Sequence, residues 1–382
     1  MRWRSSRKTL RQVWPPAAVP CRVAAPGCLC GSLIVYTVAG TAPASHTTGE
    51  AVSDTMHTNL TDPFGRTVEY LRLSVTDRCD LRCFYCLPGD YRDFCEPEEW
   101  LTFAEIERVI GAFAALGVRR VRITGGEPLV RKNLPALVRR LAAIPDIEDL
   151  SLSTNAVALA RHAAALQQAG ISRINVSLDS LHAERFREIT HGKLDRVLNG
   201  LMAAKRVGFA PIKINMVVMQ GVNDDEIENM VEFCIEHEFT LRLIETMPIG
   251  DTGRNATSHY LDLQGIKERL GRRYTLIPGL MPGGGPARYL QIAGTGLNIG
   301  FITPVSQHFC ETCNRVRLAV DGTLYLCLGQ EHTFEFRPLL RAGISDAELQ
   351  DAVRHAITLK PERHEFSDKP GQVVRFMSRT GG

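Results

Sequence analysis

The sequence predicts an α/β fold: a partial (β/α)6, TIM-like barrel followed by a C-terminal domain that closes the barrel's open side. Three observations predict it. Short strand-like apolar runs alternate with segments of helical period between residues 71 and 246. The spacing of these runs suits right-handed parallel crossovers. Polar motifs follow the C-terminal ends of the runs, where a parallel barrel assembles its site.

The elements follow in order. Residues 71–75 read as the first buried strand, and a cysteine-rich loop leaves its C-terminal end. Residues 102–116 carry apolar side chains at helical spacing, with Thr102 as N-cap and Gly117 as C-terminal stop. Further strands are expected near 119–124, 149–153, 173–178, 212–219 and 241–246, and further helices near 133–143, 158–169, 194–207 and 224–237. Gly125-Gly126-Glu127-Pro128 follows the second strand, Ser153-Thr154-Asn155 ends the third, Ser177-Leu178-Asp179 the fourth and Glu245-Thr246-Met247 the sixth. Beyond Gly250 the period weakens, and Pro282-Gly283-Gly284-Gly285-Pro286 marks a loop or boundary. Residues 56–250 are therefore read as the barrel and 251–382 as a smaller, irregular domain.

The chain has 382 residues, 44% hydrophobic and 23% charged, which describes a folded globular chain. No apolar run reaches the roughly 18 residues a membrane helix needs. The net charge of +3 comes from 45 Lys and Arg against 42 Asp and Glu. Six of the basic residues and none of the acidic ones lie in 1–49, so the remainder is net −3. That balance argues against a nucleic-acid partner, as the lack of an apolar span argues against a membrane one.

Residues 1–55 look foreign to the fold. They carry Pro15, Pro16, Pro20, Pro26 and Pro43, no amphipathic period and a short apolar run at 33–38. A secretory signal, a mitochondrial transit peptide and an upstream start codon with Met56 as the functional start all compete. A cytoplasmic location is expected, with a mitochondrial one as the alternative if the segment is a transit peptide.

Cysteine spacing is the strongest single signal. Six of the 11 cysteines form two groups, Cys79-x3-Cys83-x2-Cys86 and Cys310-x2-Cys313-x13-Cys327. Cys234 suits a buried core thiol, and Cys95 is left over. A disulfide framework does not suit a chain this long with a full apolar complement. Structural zinc wants four ligands, and each group offers three, with His308 a candidate fourth for the second group. A [4Fe–4S] cluster held by three cysteines keeps one iron open to a small molecule. Two such groups point to two [4Fe–4S] clusters.

Cys79-Asp80-Leu81-Arg82-Cys83-Phe84-Tyr85-Cys86 matches the CxxxCxxC signature of the radical S-adenosylmethionine (SAM) superfamily. With the Gly-Gly-Glu-Pro run, Asn175-Val176-Ser177-Leu178-Asp179, the CxxC-x13-C group and the terminal Gly381-Gly382, residues 60–382 closely resemble the GTP 3′,8-cyclase family of molybdenum cofactor biosynthesis. The resemblance implies that the first cluster binds SAM and cleaves it to a 5′-deoxyadenosyl radical. The radical takes the 3′ hydrogen of GTP, ribose C3′ attacks guanine C8, and the second cluster holds the base. It also implies roles for single residues. Tyr85, Gly126, Glu127, Ser177 and Met247 match SAM contacts, with Gly125 and Gly126 permitting close approach and Glu127 accepting from the SAM ammonium. Arg72, Arg122, Ser153, Lys213, Arg315 and Arg317 match GTP contacts, and the Gly381-Gly382 tail is expected to insert beside the substrate. An external electron donor is implied, and a product passed to cyclic pyranopterin monophosphate synthase. Oligomeric state stays open, a homodimer included. Departures include Ala156, where the family commonly has glycine, and Thr380, where isoleucine is usual. Two alternatives remain: another radical SAM maturase with an auxiliary cluster, and a zinc-stabilised binding module.

Overall fold

A computed structural model describes residues 59–381. The expectations placed on residues 1–55, including Cys21, Cys28 and Cys30, lie outside the described residues, as does Gly382.

Alternation of side chains builds the frame. In β1 (Tyr70–Ser74), β2 (Arg120–Thr124) and β3 (Asp149–Thr154), Leu71, Leu73, Val121, Ile123, Leu150 and Leu152 point one way and are buried. Successive strand residues point to opposite faces, so Arg72, Arg122 and Ser151 share the other face, and they are register neighbours. The apolar face packs under α1 (Phe103–Ala115), α2 (Leu134–Ala142) and α3 (Leu159–Gln168). Their amphipathic stripes account for the helices read in the sequence. At the start of α1, the Thr102 hydroxyl accepts from the Glu105 amide (3.2 Å) while the Glu105 carboxylate accepts from the Thr102 amide (2.7 Å). This reciprocal cap fixes the expected helix start.

The pattern continues through β4 (Arg173–Ser177), α4 (Ala183–Thr190), α5 (Leu194–Arg206), β5 (Ile212–Val217), α6 (Ile227–His237) and β6 (Thr240–Ile244). All six strands pair in parallel and in sequence order. Cys234 is buried on α6, as its apolar context suggests.

The region beyond 250 is more regular than expected. After α7 (Gly250–Ala256) and α8 (Leu263–Arg273), strands β7 (Leu276–Pro278), β8 (Arg288–Ile292) and β9 (Asn298–Ile302) form a meander. Its last strand adds in parallel to β6. On the opposite edge, β10 (Arg315–Leu318) adds in parallel to β1, and β11 (Thr323–Tyr325) and β12 (Thr333–Glu335) follow antiparallel. One curved sheet of 12 strands results, with eight parallel strands at its centre. Short α9 (Arg337–Arg341) leads to α10 (Asp346–Thr358), which lies against α1, and the chain ends in α11 (Met377–Thr380) beside β1. The sequence signal was weak here because these strands run for only three to five residues. Residues 282–286 are not a boundary between compact units. They close the lower end of the sheet, where Arg173 Nη1 donates to the Pro282 carbonyl at 3.3 Å. Among the described residues, no helix is long and apolar enough to cross a membrane.

Candidate active site

Strand polarity determines where the site lies. A parallel sheet covered on both faces would be apolar on both. Here the inner face carries Arg72, Arg122, Asn175, Lys213, Asn215, Arg242, Arg315 and Arg317 in adjacent registers. Two cavities occupy that face, the first at the C-terminal ends of the strands and the second over their middles, toward the start of β10.

The first cavity holds about 1210 Å³, its open mouth included. Cys79, Cys83 and Cys86 line it together with Tyr85, Gly126, Ser153, Ser177 and Met247. The Gly-Gly turn that follows β2 seats itself on the segment leading into the cysteine loop. The Gly126 amide donates to the Thr76 carbonyl (2.8 Å), and a Cβ on Gly126 would stand 2.5 Å from the Arg78 carbonyl oxygen. Only glycine allows that approach.

Glu127 does not line this cavity. Its carboxylate is fully buried and accepts from the Leu129 amide (3.0 Å), the Thr154 hydroxyl (2.7 Å) and the Asn155 amide (2.6 Å). The expectation that it takes the SAM ammonium directly is therefore replaced by a clamp between the ends of β2 and β3. Burial pushes its carboxyl up to about 7, against the pull of those donors. The clamp aims Asn155, whose Nδ2 donates to Asp80 Oδ1 at 2.7 Å inside the cysteine loop. Ala156 next to it takes φ +62°, so the turn where glycine is common forms with a left-handed alanine.

Asp179 is a site residue that sequence reasoning left without a role. Tyr85 donates to its Oδ2 at 2.7 Å and the Val217 amide to its Oδ1 at 2.9 Å. Burial pushes Asp179 up to about 6, again against its hydrogen bonds. Burial also pushes up the thiols of Cys79, Cys83 and Cys86, the last to about 12, with Asp179 adding to the shifts of Cys83 and Cys86 and Glu127 to that of Cys79.

The second cavity holds about 1000 Å³ and is lined by Arg72, Arg122, Arg242, Arg315 and Arg317 beside Cys310, Cys313 and Cys327. Burial lowers Arg317 and Arg242 to about 10, with Arg315 and Arg122 as the respective neighbouring charges. Burial raises Cys310, and raises Cys327 to about 11. At Cys313 burial is outweighed by Lys360 and Arg315, and the thiol is lowered. Arg242 escaped the sequence reading, although a charge inside Thr240-Leu241-Arg242-Leu243-Ile244 is the same signal that exposed Lys213. Lys213 itself lines neither cavity. It is buried behind Tyr289, 5.6 Å from the ring centroid, and burial with Arg242, Arg173 and Arg122 lowers it to about 7. His308 is half-exposed and pairs with Glu311, whereas His364 lines the cavity.

Asn215, Ile244, Met247 and Met377 line both cavities, so the two spaces meet. Gly381 reaches this junction. Its carbonyl accepts from Arg317 Nη1 at 2.7 Å, and a Cβ on it would stand 2.2 Å from Thr124 Cγ2.

Residues 73–234 match the Radical SAM superfamily and residues 239–366 match Molybdenum Cofactor Synthesis C. The GTP 3′,8-cyclase of Ectopseudomonas mendocina is 48% identical over 332 residues, covering 86% of this chain and all of its own length. That of Paracoccus denitrificans is 46% identical over 336 residues, with 85% and 96% covered. The chain belongs to the GTP 3′,8-cyclase family. SuiB of Streptococcus suis, solved bound to S-adenosylmethionine, shares the fold with a TM-score of 0.54 at 16% identity, over 77% of this chain and 72% of its own.

Radical SAM membership brings a [4Fe–4S] cluster and SAM to a cyclase-family chain, and the first cavity fits them. Its three cysteines are free, half-buried and turned into one space. Among the described residues, no three His, Cys, Asp or Glu side chains converge on a single ion.

Proposed function

We propose that this chain converts GTP to (8S)-3′,8-cyclo-7,8-dihydroguanosine 5′-triphosphate, the first step of molybdenum cofactor biosynthesis. The observation that carries this reading is the junction of the two cavities: a three-cysteine loop opens into a chamber walled by five arginines and backed by a second cysteine set. When bound, the first cluster and SAM supply one-electron chemistry, which a protein of ordinary side chains lacks.

The chain's own residues bind and orient. Cys79, Cys83 and Cys86 hold the first cluster, and Gly126, Ser177, Met247 and Tyr85 contact SAM, with Asp179 fixing the tyrosine. Arg72, Arg122, Arg315 and Arg317, joined by Arg242, face the phosphates and base of GTP. Each charge-assisted contact contributes about 1.5–3 kcal/mol. Ser153 stands on the first cavity's wall and Lys213 behind the second, so their contribution to GTP is at the edges of the chamber. Cys310, Cys313 and Cys327 would hold a second [4Fe–4S] cluster, which would help to bind the base. Gly381, held by Arg317, sits at the junction beside the substrate. Residues 56–250 thus hold SAM and one wall of the GTP chamber, and residues 251–382 supply the other wall with Arg315, Arg317 and the second cysteine set. The reaction runs in the cytoplasm with an external electron donor and delivers its product to cyclic pyranopterin monophosphate synthase.

Anaerobic reconstitution followed by incubation with SAM, dithionite and each nucleoside triphosphate tests the reading. GTP alone should be consumed, giving a product with a C3′–C8 bond. SAM cleavage with no GTP consumed would overturn it in favour of a different radical SAM activity, and colourless protein with stoichiometric zinc would overturn it altogether.

A further inference from the structure

Each cysteine of the second group has a buried cation on its backbone. Arg66 Nη1 donates to the Cys310 carbonyl at 2.8 Å, Lys360 Nζ to that of Cys313 at 3.3 Å, and Arg375 Nη2 to that of Cys327 at 3.1 Å. All three residues are more than nine-tenths buried. They come from three separate stretches of chain, and none lines the cationic chamber.

Counter-charges stand close to these cations. Asp62 accepts from Arg66 (2.6 Å) and lies 3.3 Å from Lys360, while Glu331 pairs with Arg375 (2.8 Å). The three cations thus have two carboxylates as direct partners, and the loop's own carboxylate, Glu311, is exposed to solvent. The first cysteine group is built differently. Cys79 alone has a cation on its carbonyl, from the half-buried Arg82 at 2.6 Å, and the charged neighbours that act on its thiols are Glu127, Asp80 and Asp179.

Pinning a backbone carbonyl needs only an amide donor. A buried cation has a desolvation penalty of several kcal/mol, recovered only through good partners. Three of them on one ligand set, one per cysteine, direct positive potential at the sulfurs, and charge around a cluster is among the factors that set its potential.

We propose that Arg66, Lys360 and Arg375 are positioning residues for the second centre: each clamps one cysteine, and together their charge holds that centre at a more positive potential than the first. The proposal rests on the reading that Cys310, Cys313 and Cys327 hold a [4Fe–4S] cluster.

The test uses the full-length protein, reconstituted anaerobically and titrated with dithionite while both clusters are followed by electron paramagnetic resonance. In Lys360→Met the midpoint of the second cluster should fall, making its reduced-to-oxidised ratio at fixed potential at least tenfold smaller, which is about 59 mV for one electron. The first cluster's midpoint should not move. Full iron content with an unchanged second midpoint in Lys360→Met would reduce the cations to structural pins and overturn the proposal. If Lys360→Met does not load iron, Arg66→Lys and Arg375→Lys decide, since both keep the charge. Each should load fully and keep the wild-type midpoint. A tenfold shift in those charge-preserving variants would overturn the proposal. A wild-type protein with four irons per chain and one midpoint would instead overturn the two-cluster reading, so the two failures are distinct.

Discussion

The two cysteine groups present the same donors in opposite fields. Around Cys79, Cys83 and Cys86 the buried charges are carboxylates, and every thiol is pushed up. Around Cys310, Cys313 and Cys327 the buried charges are mostly cations; burial still raises Cys310 and Cys327, but Lys360 and Arg315 pull Cys313 down. The first loop is held by turns and by the Glu127–Asn155–Asp80 chain of hydrogen bonds. The second is held by long cationic side chains reaching in from distant segments. The two loops thus share a donor set and differ in the charges packed around it. An acidic neighbourhood disfavours adding an electron and suits a strong reductant. A basic one suits an anionic ligand.

The largest expected effect separates the two groups directly. Cys83→Ser should remove about half the iron and all SAM cleavage, whereas Cys313→Ser should keep SAM cleavage and lose GTP cyclisation. Iron analysis and chromatography of the cleavage products check both. Equal loss of SAM cleavage in the two variants would break the division of labour.

Arg317→Ala comes next and sharpens the comparison, because it changes the cationic chamber without touching either cysteine set. We expect kcat/KM for GTP to fall roughly 10- to 150-fold for the one lost charge-assisted contact, with iron content and SAM binding intact. Retained turnover would remove Arg317 from the GTP site.

Gly381→Ala tests the junction of the two spaces. The added methyl would meet Thr124 Cγ2 at 2.2 Å, and the backbone sits at φ +75°. GTP turnover should drop about tenfold, because φ +75° with ψ 136° is a backbone region that costs a residue with a side chain roughly 1–3 kcal/mol, while the melting temperature stays near wild type. In a Thr124→Ala background the loss should shrink.

The smallest effect is a pH slope. Folded Lys213 titrates near 7, and its ordinary value is 10.5. Between those limits the unfolded lysine carries a proton that the folded one lacks, so this residue makes ligand-free protein more stable as pH rises. Lys213→Met should flatten that part of the stability profile. GTP should flatten it as well if its phosphates restore the proton.

Much of this was legible in the sequence because local patterns carried it. The strands at 120–124 and 212–217 show themselves by alternation, and Thr102 with Glu105 marks a helix start unaided. The cysteine groups are compact in sequence and hence visible. What escaped depends on partners far along the chain. Glu127 reads as a ligand contact until Thr154 and Asn155 arrive from the next strand to occupy it. Arg66 and Arg375 look like surface charges, since nothing nearby announces that Cys310 and Cys327 fold onto them. Helix α4 is only eight residues long, so its Ala183, Phe186 and Ile189 stripe spans two turns and is easily passed over.

The arginine-walled chamber has an evolutionary consequence. Arg72, Arg122, Arg242, Arg315 and Arg317 face one another across a space sized for an anion, and like charges so placed work against the fold that gathers them. Neutralising one should make the ligand-free protein harder to melt and a poorer host for a nucleotide. Drift toward greater robustness is then drift away from activity, and selection keeps this region short of the stability the rest of the sheet would allow.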